Sequence, residues 1–415
     1  MSQTQTFKIT ALAHKGDGVA EAPDGPVFVP FALPGETVTV RRRGARADLV
    51  EVAIPAPERI APVCRHFGTC GGCALQHMGE GAYLAWKRGQ VAAALGDRGL
   101  DVAVGDTLPA AGRGRRRAVL TAVRAGHKIL LGFHERLSDR LVDVIECPVL
   151  VPEIIAALPA LRRLAGMLVP RRSAVRVTAL ACGNGLDLAF ERKENVGPRE
   201  VPALVEAAMA AGFARLAVNG EVLAEARPAE LDMDGVPVVP PPGGFVQATA
   251  EAETVLAGLV TKGVGGAKKV ADLFAGVGTF TFRLARTATV HAVESDAAAL
   301  AALDRGLRRA PGRKTISHER RDLMRNPVTS AELDAFGRGY DAVVFDPPRA
   351  GAEAQAREIA GSRVERVVAV SCNPATLGRD LRVLTDGGYA IESVTPVDQF
   401  AFSPHIEVVA VLSRA

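Results

Sequence analysis

From about residue 246 onward, short apolar runs rich in β-branched residues alternate with stretches of helical period. No other feature of the chain constrains its fold as much. "KKVADLFAG" is followed by "TFTFRLART", "ATVHAVESD" by "AAALAALDRGLRRA", and "RVERVVAVSC" by "PATLGRDLRVLTDGG". Such alternation builds a parallel, doubly wound sheet whose ligands bind beyond the carboxyl ends of the strands. "AIESVTPVDQF" and "HIEVVAVLS" close the chain with no helix between them. One of these two is therefore expected to run antiparallel at the sheet edge.

The residues able to do chemistry gather at those strand ends. In "DLFAGVGTF" (272–280), Gly276 and Gly278 let the backbone turn tightly and come close to a ligand. Glu294, ending the next strand, is placed to hydrogen-bond ribose hydroxyls, and Asp322 in "RRDL" to hold an adenine amino group. Thr281 stands where a dinucleotide fingerprint would have its third glycine, so S-adenosylmethionine fits better than NAD. Asp346 opens the stiff "DPPRAG" loop and faces the substrate end. Arg349 occupies the place of the aromatic found in the (D/N)PP(Y/F) loop of amino-group methyltransferases, which argues against N-methylation.

Cys372, in "SCNPATLGRDL" (371–381), sits where a strand meets a helix. Asn373 suits the N-cap and Pro374 the first helical turn. The helix N-terminus beside the thiol is expected to favour thiolate. Next to a methyl donor, a thiolate can add to C6 of a pyrimidine and load electron density onto C5, after which a base must remove the C5 proton. Glu407, a lone acid in the apolar strand "HIEVVAVLS", is the candidate base, because burying it idle would be costly. His405 is given no role.

Upstream, five short strands with Gly-rich turns over 1–56 read as a small OB-type barrel, and "PAPERIAP" (55–62) as a linker. Residues 57–240 read as a mixed α+β region with a helical stretch at about 76–105, and 241–415 as the doubly wound domain. "CRHFGTCGGC" supplies Cys64, Cys70 and Cys73, and "VIECPVL" supplies Cys147. Four such thiolates suit either zinc or a [4Fe–4S] cluster, with the spacing leaning to iron–sulfur. Cys182 reads as structural. Arginine clusters at 41–46 and 112–117 suit a phosphate-rich partner, although the net charge is only +4. The N-terminus has no signal-peptide pattern, and no apolar run reaches the roughly 20 residues of a membrane span, so a soluble, cytoplasmic protein is expected.

Together these residues resemble the RNA uridine C5-methyltransferase family, in its iron–sulfur-containing 23S rRNA m5U branch. The resemblance runs over nearly the whole chain: "AHKGDGVA…VFVPFALPGETV", the C-x5-C-G-G-C cluster, "LGFHER…RLVDVIECPVL", "DLFAGVG", "DPPRAG", "SCNPATLGRDL" and "PHIEVVAVL". It implies a class I methyltransferase sheet preceded by a TRAM barrel and a central α+β domain. It also implies a [4Fe–4S] cluster on Cys64, Cys70, Cys73 and Cys147, a nucleophile at Cys372 and a base at Glu407. By motif, cofactor contacts fall on Gln247, Phe274, Thr279, Glu294, Asp322 and Asp346. The family further implies that the helix after the cysteine cluster packs on the catalytic sheet. Thr249 stands where the family commonly has Asn, and Phe400–Ser403 depart from its F-P-x-T turn.

The expected function is S-adenosylmethionine-dependent methylation of uridine C5 in structured RNA, 23S rRNA first, by a monomer. Alternatives are tRNA uridine or RNA cytosine as the acceptor, a non-catalytic RNA-binding iron–sulfur protein, and an NAD-linked reductase.

Overall fold

The computed structural model describes residues 4–111, 114–171, 173–335 and 339–414. At the N-terminus the strands Thr4–Leu12, Gly18–Ala20, Val27–Val29, Thr37–Arg43 and Arg46–Ile54 close into a barrel. Every second residue points inward, so Ile9, Ala20, Val27, Val29, Val38 and Val40 make a small sealed core. Beneath the barrel the buried Glu36 carboxylate accepts from the backbone N–H of Leu33 at 2.8 Å and is clamped by Arg59.

The central region is a seven-stranded sheet running, edge to edge, through Glu221–Glu225, Arg215–Val218, Gly185–Glu191, Val175–Cys182, Arg117–Ala125, Lys128–His134 and Leu141–Asp143. The helices Pro152–Leu168 and Val201–Ala210 share one core with it, through residues such as Leu158, Leu161, Phe190 and Leu204.

The catalytic sheet has eight strands in the order Ile316–Arg320, Thr289–Glu294, Lys269–Leu273, Ala342–Phe345, Arg366–Ser371, Glu407–Arg414, Tyr389–Asp398 and Leu108–Pro109. The first five are parallel to one another. Their chain order reverses between Lys269–Leu273 and Ala342–Phe345, which is where a doubly wound sheet opens a ligand crevice. The antiparallel strand, Glu407–Arg414, is not at the edge as expected. It inserts between Arg366–Ser371 and Tyr389–Asp398, and the edge is taken by Leu108–Pro109 from the preceding region. An all-apolar strand such as "VVAVL" is best buried with a strand on each side, whereas Tyr389–Asp398, with its exposed Glu392 and Ser393, tolerates an outer place.

The helix Glu80–Gly96 joins the two ends of the molecule. Tyr83 belongs to the cluster under the barrel, while Val91 and Leu95 lie in the core of the catalytic sheet. It crosses the helix Pro374–Asp386 at Gly378, where an added Cβ would sit 2.8 Å from the carbonyl oxygen of Ala94. Only glycine permits that approach.

Candidate active site

The carboxyl ends of the parallel strands open onto one cavity of roughly 1650 Å³, measured out to its open mouth. Gln247, Phe274, Gly276, Thr279, Glu294, Asp322, Asp346, Cys372 and Glu407 all line it. Of the residues singled out from the sequence for this site, Gly278 alone is not on the wall. It shapes the turn from behind: its φ is +98°, and a Cβ there would meet the Phe282 ring at 2.6 Å.

The glycine turn is built for close approach. Phe274 holds a φ of +63° without being glycine, a strain that persists only where surrounding structure enforces it. The backbone N–H of Gly276 donates to Glu294 at 2.9 Å, and those of Ser295 and Asp296 donate to the same carboxylate at 2.6 and 2.8 Å. Glu294 is thus fixed at the strand end as an aimed acceptor. Asp322 accepts from the backbone N–H of Met324 at 3.1 Å. Gly276 has open space where a Cβ would be, and the lining beside it is apolar, including Ala275, Val277, Phe280 and Leu323. A glycine-lined cradle with an anchored carboxylate at the next strand end fits the adenosyl moiety of S-adenosylmethionine.

Strand register explains the pairing of Cys372 with Glu407. Ser371 faces Val408 across the antiparallel pair, so the next residue on one strand faces the previous residue on the other. Both side chains line the cavity. Asn373 caps the following helix, its side chain accepting from the N–H of Ala375 at 3.2 Å and donating to the carbonyl of Arg349 at 2.9 Å. The helix N-terminus does not dominate the thiol. Burial, with Glu407 and Asp346 beside it, pushes Cys372 above the usual thiol range, and only Arg349 opposes them. Burial and the two carboxylates thus work against the thiolate that capping alone led us to expect.

Glu407 is 5% exposed, and burial, reinforced by Asp346, raises its pKa. Asp346 opens onto the cavity yet is walled by protein, and burial raises its carboxyl too. Gln399, missed in the sequence, donates through one amino group to Gln247 at 2.8 Å and to Glu407 at 3.0 Å. Phe245, exposed at the cavity, and Arg349 were also not singled out as site residues. The "PPPGGF" run that delivers Phe245 was the available signal. Thr249 serves as an N-cap, accepting from the N–H of Ala252 at 2.9 Å and donating to the carbonyl of Ala110 at 2.7 Å, so the absent Asn costs nothing visible. The divergent turn at Phe400–Ser403 is held by Tyr83, whose hydroxyl donates to the Phe400 carbonyl at 3.2 Å, and by the N–H groups of Ala74 and Leu75 on the Phe402 carbonyl.

The expected [4Fe–4S] cluster is corrected here. Among the described residues no group of three or more His, Cys, Asp or Glu side chains is set to hold a metal ion. Cys64, Cys70, Cys73 and Cys147 do line one recess, together with Phe67, Phe133, Val144 and Leu150. His66, Gln76, Arg115 and Glu146 also line that recess. Burial pushes Cys73 up to about 11 and also raises Cys70 and Cys147. Spacing in the sequence showed the cysteines meeting, but not the environment in which they meet.

The second arginine cluster is largely structural. Arg116 pairs with the buried Glu253 at 2.5 Å, Arg117 donates to the carbonyls of Gly243 and Gly244, and Arg115 lies over the Phe400 ring. Arg113 lies outside the described residues. In the barrel cluster Arg42 pairs with Asp24 and Arg43 with Asp48. No helix among the described residues is long and apolar enough to cross a membrane.

Comparison with known proteins agrees with this geometry. Residues 315–415 match the family described as tRNA (uracil-5-)-methyltransferase, and residues 2–41 match the TRAM domain. An RNA methyltransferase of Brucella suis is 50% identical over 413 residues, covering 100% of this chain and 99% of that one. The 23S rRNA (uracil(1939)-C(5))-methyltransferase of Halomonas elongata is 33% identical, covering 98% of this chain and 89% of that one. In fold, the chain is similar to the Pyrococcus abyssi tRNA (uracil-54, C5)-methyltransferase, with a TM-score of 0.76, 24% identity, and coverage of 98% of this chain and 100% of that one. The chain belongs to the family of TRAM-containing, S-adenosylmethionine-dependent RNA methyltransferases that act at C5 of a pyrimidine.

Proposed function

We propose that the protein methylates C5 of a uridine in structured RNA, with 23S rRNA as its substrate, and that Cys372 is the nucleophile and Glu407 the base. The observation that carries this reading is the register that sets Cys372 against Glu407 on the wall of the cofactor cavity.

The target base leaves its stack to enter the cavity, and Phe245 at the rim offers a face on which it or a neighbour can stack. Cys372 gives up its proton to solvent as the base enters, with Arg349 the cation that favours the thiolate. The sulfur adds to C6, breaking the ring's aromaticity and making C5 nucleophilic. When bound, S-adenosylmethionine supplies an electrophilic methyl group, which C5 takes. Glu407 then accepts the C5 proton, the electrons of that bond restore the C5–C6 double bond, and the carbon–sulfur bond breaks to free Cys372. Gly276, Glu294 and Asp322 would hold the nucleoside end of the cofactor, and Asp346 its reacting end.

The choice of 23S rRNA is supported by the Halomonas relative, which matches along the whole chain. A second reading, tRNA uridine, is favoured by the family description matched at residues 315–415. The test is mass spectrometry of the protein incubated with S-adenosylmethionine and cellular RNA grown to contain 5-fluorouridine. Fluorine at C5 cannot leave as a proton, so the adduct should persist. An RNA adduct mapped to Cys372 is the expected result, and the sequence of the bound RNA separates rRNA from tRNA. Absence of an adduct, with cofactor binding intact, would overturn the assignment.

A further inference from the structure

The polar atoms around Glu407 can be ordered from one group whose role admits no choice. The backbone N–H of Ala248 can only donate, and it lies 2.9 Å from the side chain of Gln399, which must therefore present its oxygen there. The Gln399 amino group is then turned the other way, where it meets Glu407 Oε1 at 3.0 Å and Gln247 at 2.8 Å. A donor facing Gln247 requires that Gln247 turn its own oxygen inward. The Gln247 amino group is left over. Gln247 lines the cavity, and no described residue accepts a hydrogen bond from that amino group. All three side chains are at most 5% exposed, so the relay is held within the cavity wall.

We propose that Gln399 is a positioning residue that makes the site choose uracil over cytosine, by holding Gln247 with its amino group toward the base. This rests on the uridine reading above. Glu407 works at C5, whose ring neighbours are C4 and C6; Cys372 takes C6, and Gln399 ties Gln247 to Glu407 directly, which leaves C4 to Gln247. Uracil carries a carbonyl oxygen at C4 and cytosine an amino group. A fixed donor pairs with the first and meets the second donor to donor. Discrimination of this kind is strong, because the mismatched base leaves buried polar groups unpaired. The same Gln399 amino group hydrogen-bonds the Glu407 carboxylate and favours its charged form, which is the form able to take a proton.

The experiment uses the full-length chain and two copies of an RNA carrying the mapped target nucleotide, one with uridine and one with cytidine there. Products are counted as m5U or m5C by nucleoside mass spectrometry. The wild-type chain should favour uridine by about a hundredfold or more. Gln399→Glu reverses the hydrogen-bond polarity toward Gln247 and should reduce that ratio by roughly tenfold or more, the uridine rate falling further than the cytidine rate. Gln399→Met removes the donor altogether. It should lower the ratio as well and move the acid limb of the rate profile to higher pH, because Glu407 loses a partner for its charged form. Folded variants that keep the wild-type ratio and an unmoved limb would make Gln399 merely structural and overturn the inference. A wild-type chain that prefers cytidine would overturn the uridine reading, and the inference with it, before any variant is made. If neither variant folds, hydrogen exchange of the side-chain amides in the wild-type chain decides: Gln399 protected and Gln247 fast is expected, and the reverse order is fatal.

Discussion

Lys87 Nζ lies 2.5 Å from Asp398 Oδ1, with side-chain exposures of 0% and 5%. The same ammonium donates to the carbonyl of His405 at 2.7 Å. One helix residue thus spans the loop that carries Gln399 and delivers Glu407. Burial pushes Lys87 down to about 8, and Asp398 opposes that shift. Lys87→Met should cost about 3–5 kcal/mol by leaving Asp398 buried and unpaired. Adding Asp398→Leu to it should recover much of the loss, while methyl transfer stays impaired in both. Urea unfolding and a double-mutant cycle check this.

Glu407→Gln should lower methyl transfer by at least about a thousandfold while leaving cofactor affinity within about threefold. Addition at C6 does not need Glu407, but elimination does. The variant should therefore accumulate an RNA–protein adduct with ordinary uridine, visible on a denaturing gel. Cys372→Ala should form none.

Two of the cavity's carboxylates, Asp346 and Glu407, should weaken the folded chain as pH rises. Asp346 and Glu407 have raised pKa values, so between the unfolded and folded values the folded state holds more protons. The stability these two groups contribute is then greatest below the ordinary carboxylate range and declines as pH climbs through the raised values. Asp346→Asn should remove part of that decline, gaining roughly 1–3 kcal/mol near pH 8 and nothing near pH 4, while abolishing methyl transfer. Thermal melts across pH measure the first and a tritium-transfer assay the second.

The two turn glycines should not be equivalent. Gly278→Ala meets the Phe282 ring at 2.6 Å with φ at +98° and should cost about 2–4 kcal/mol. Gly276→Ala meets open space at φ +57° and should cost roughly 1–2 kcal/mol of backbone strain. Melting temperatures of the two variants, with and without S-adenosylmethionine, give the comparison. The cofactor should stabilise the Gly276 variant less than wild type, because that residue lies on the cavity wall.

Local pattern made much of the site legible. Gly276, Glu294, Asp346 and Cys372 each follow an apolar β-branched run, and parallel strands in a doubly wound sheet point their carboxyl ends the same way. Strand direction alone therefore gathers them. Thr249 and Asn373 cap their helices as their residue types suggest. Gln399 was not legible, because its importance lies in contacts to residues 152 and 8 positions away, Gln247 and Glu407. The four cysteines were misread because their spacing brings them to one recess without fixing their side chains as a ligand set.

By itself, the sequence determined a doubly wound sheet, a barrel before it, and a thiol at a strand end, since these follow from hydrophobic period and turn chemistry over a few residues. The tertiary structure alone decided that the last strand enters the sheet beside Arg366–Ser371 rather than at its edge. That choice sets Glu407 against Cys372 and adds a second carboxylate to Asp346 beside the thiol. It depends on which strand loses most by facing water, a comparison between elements that no local pattern contains.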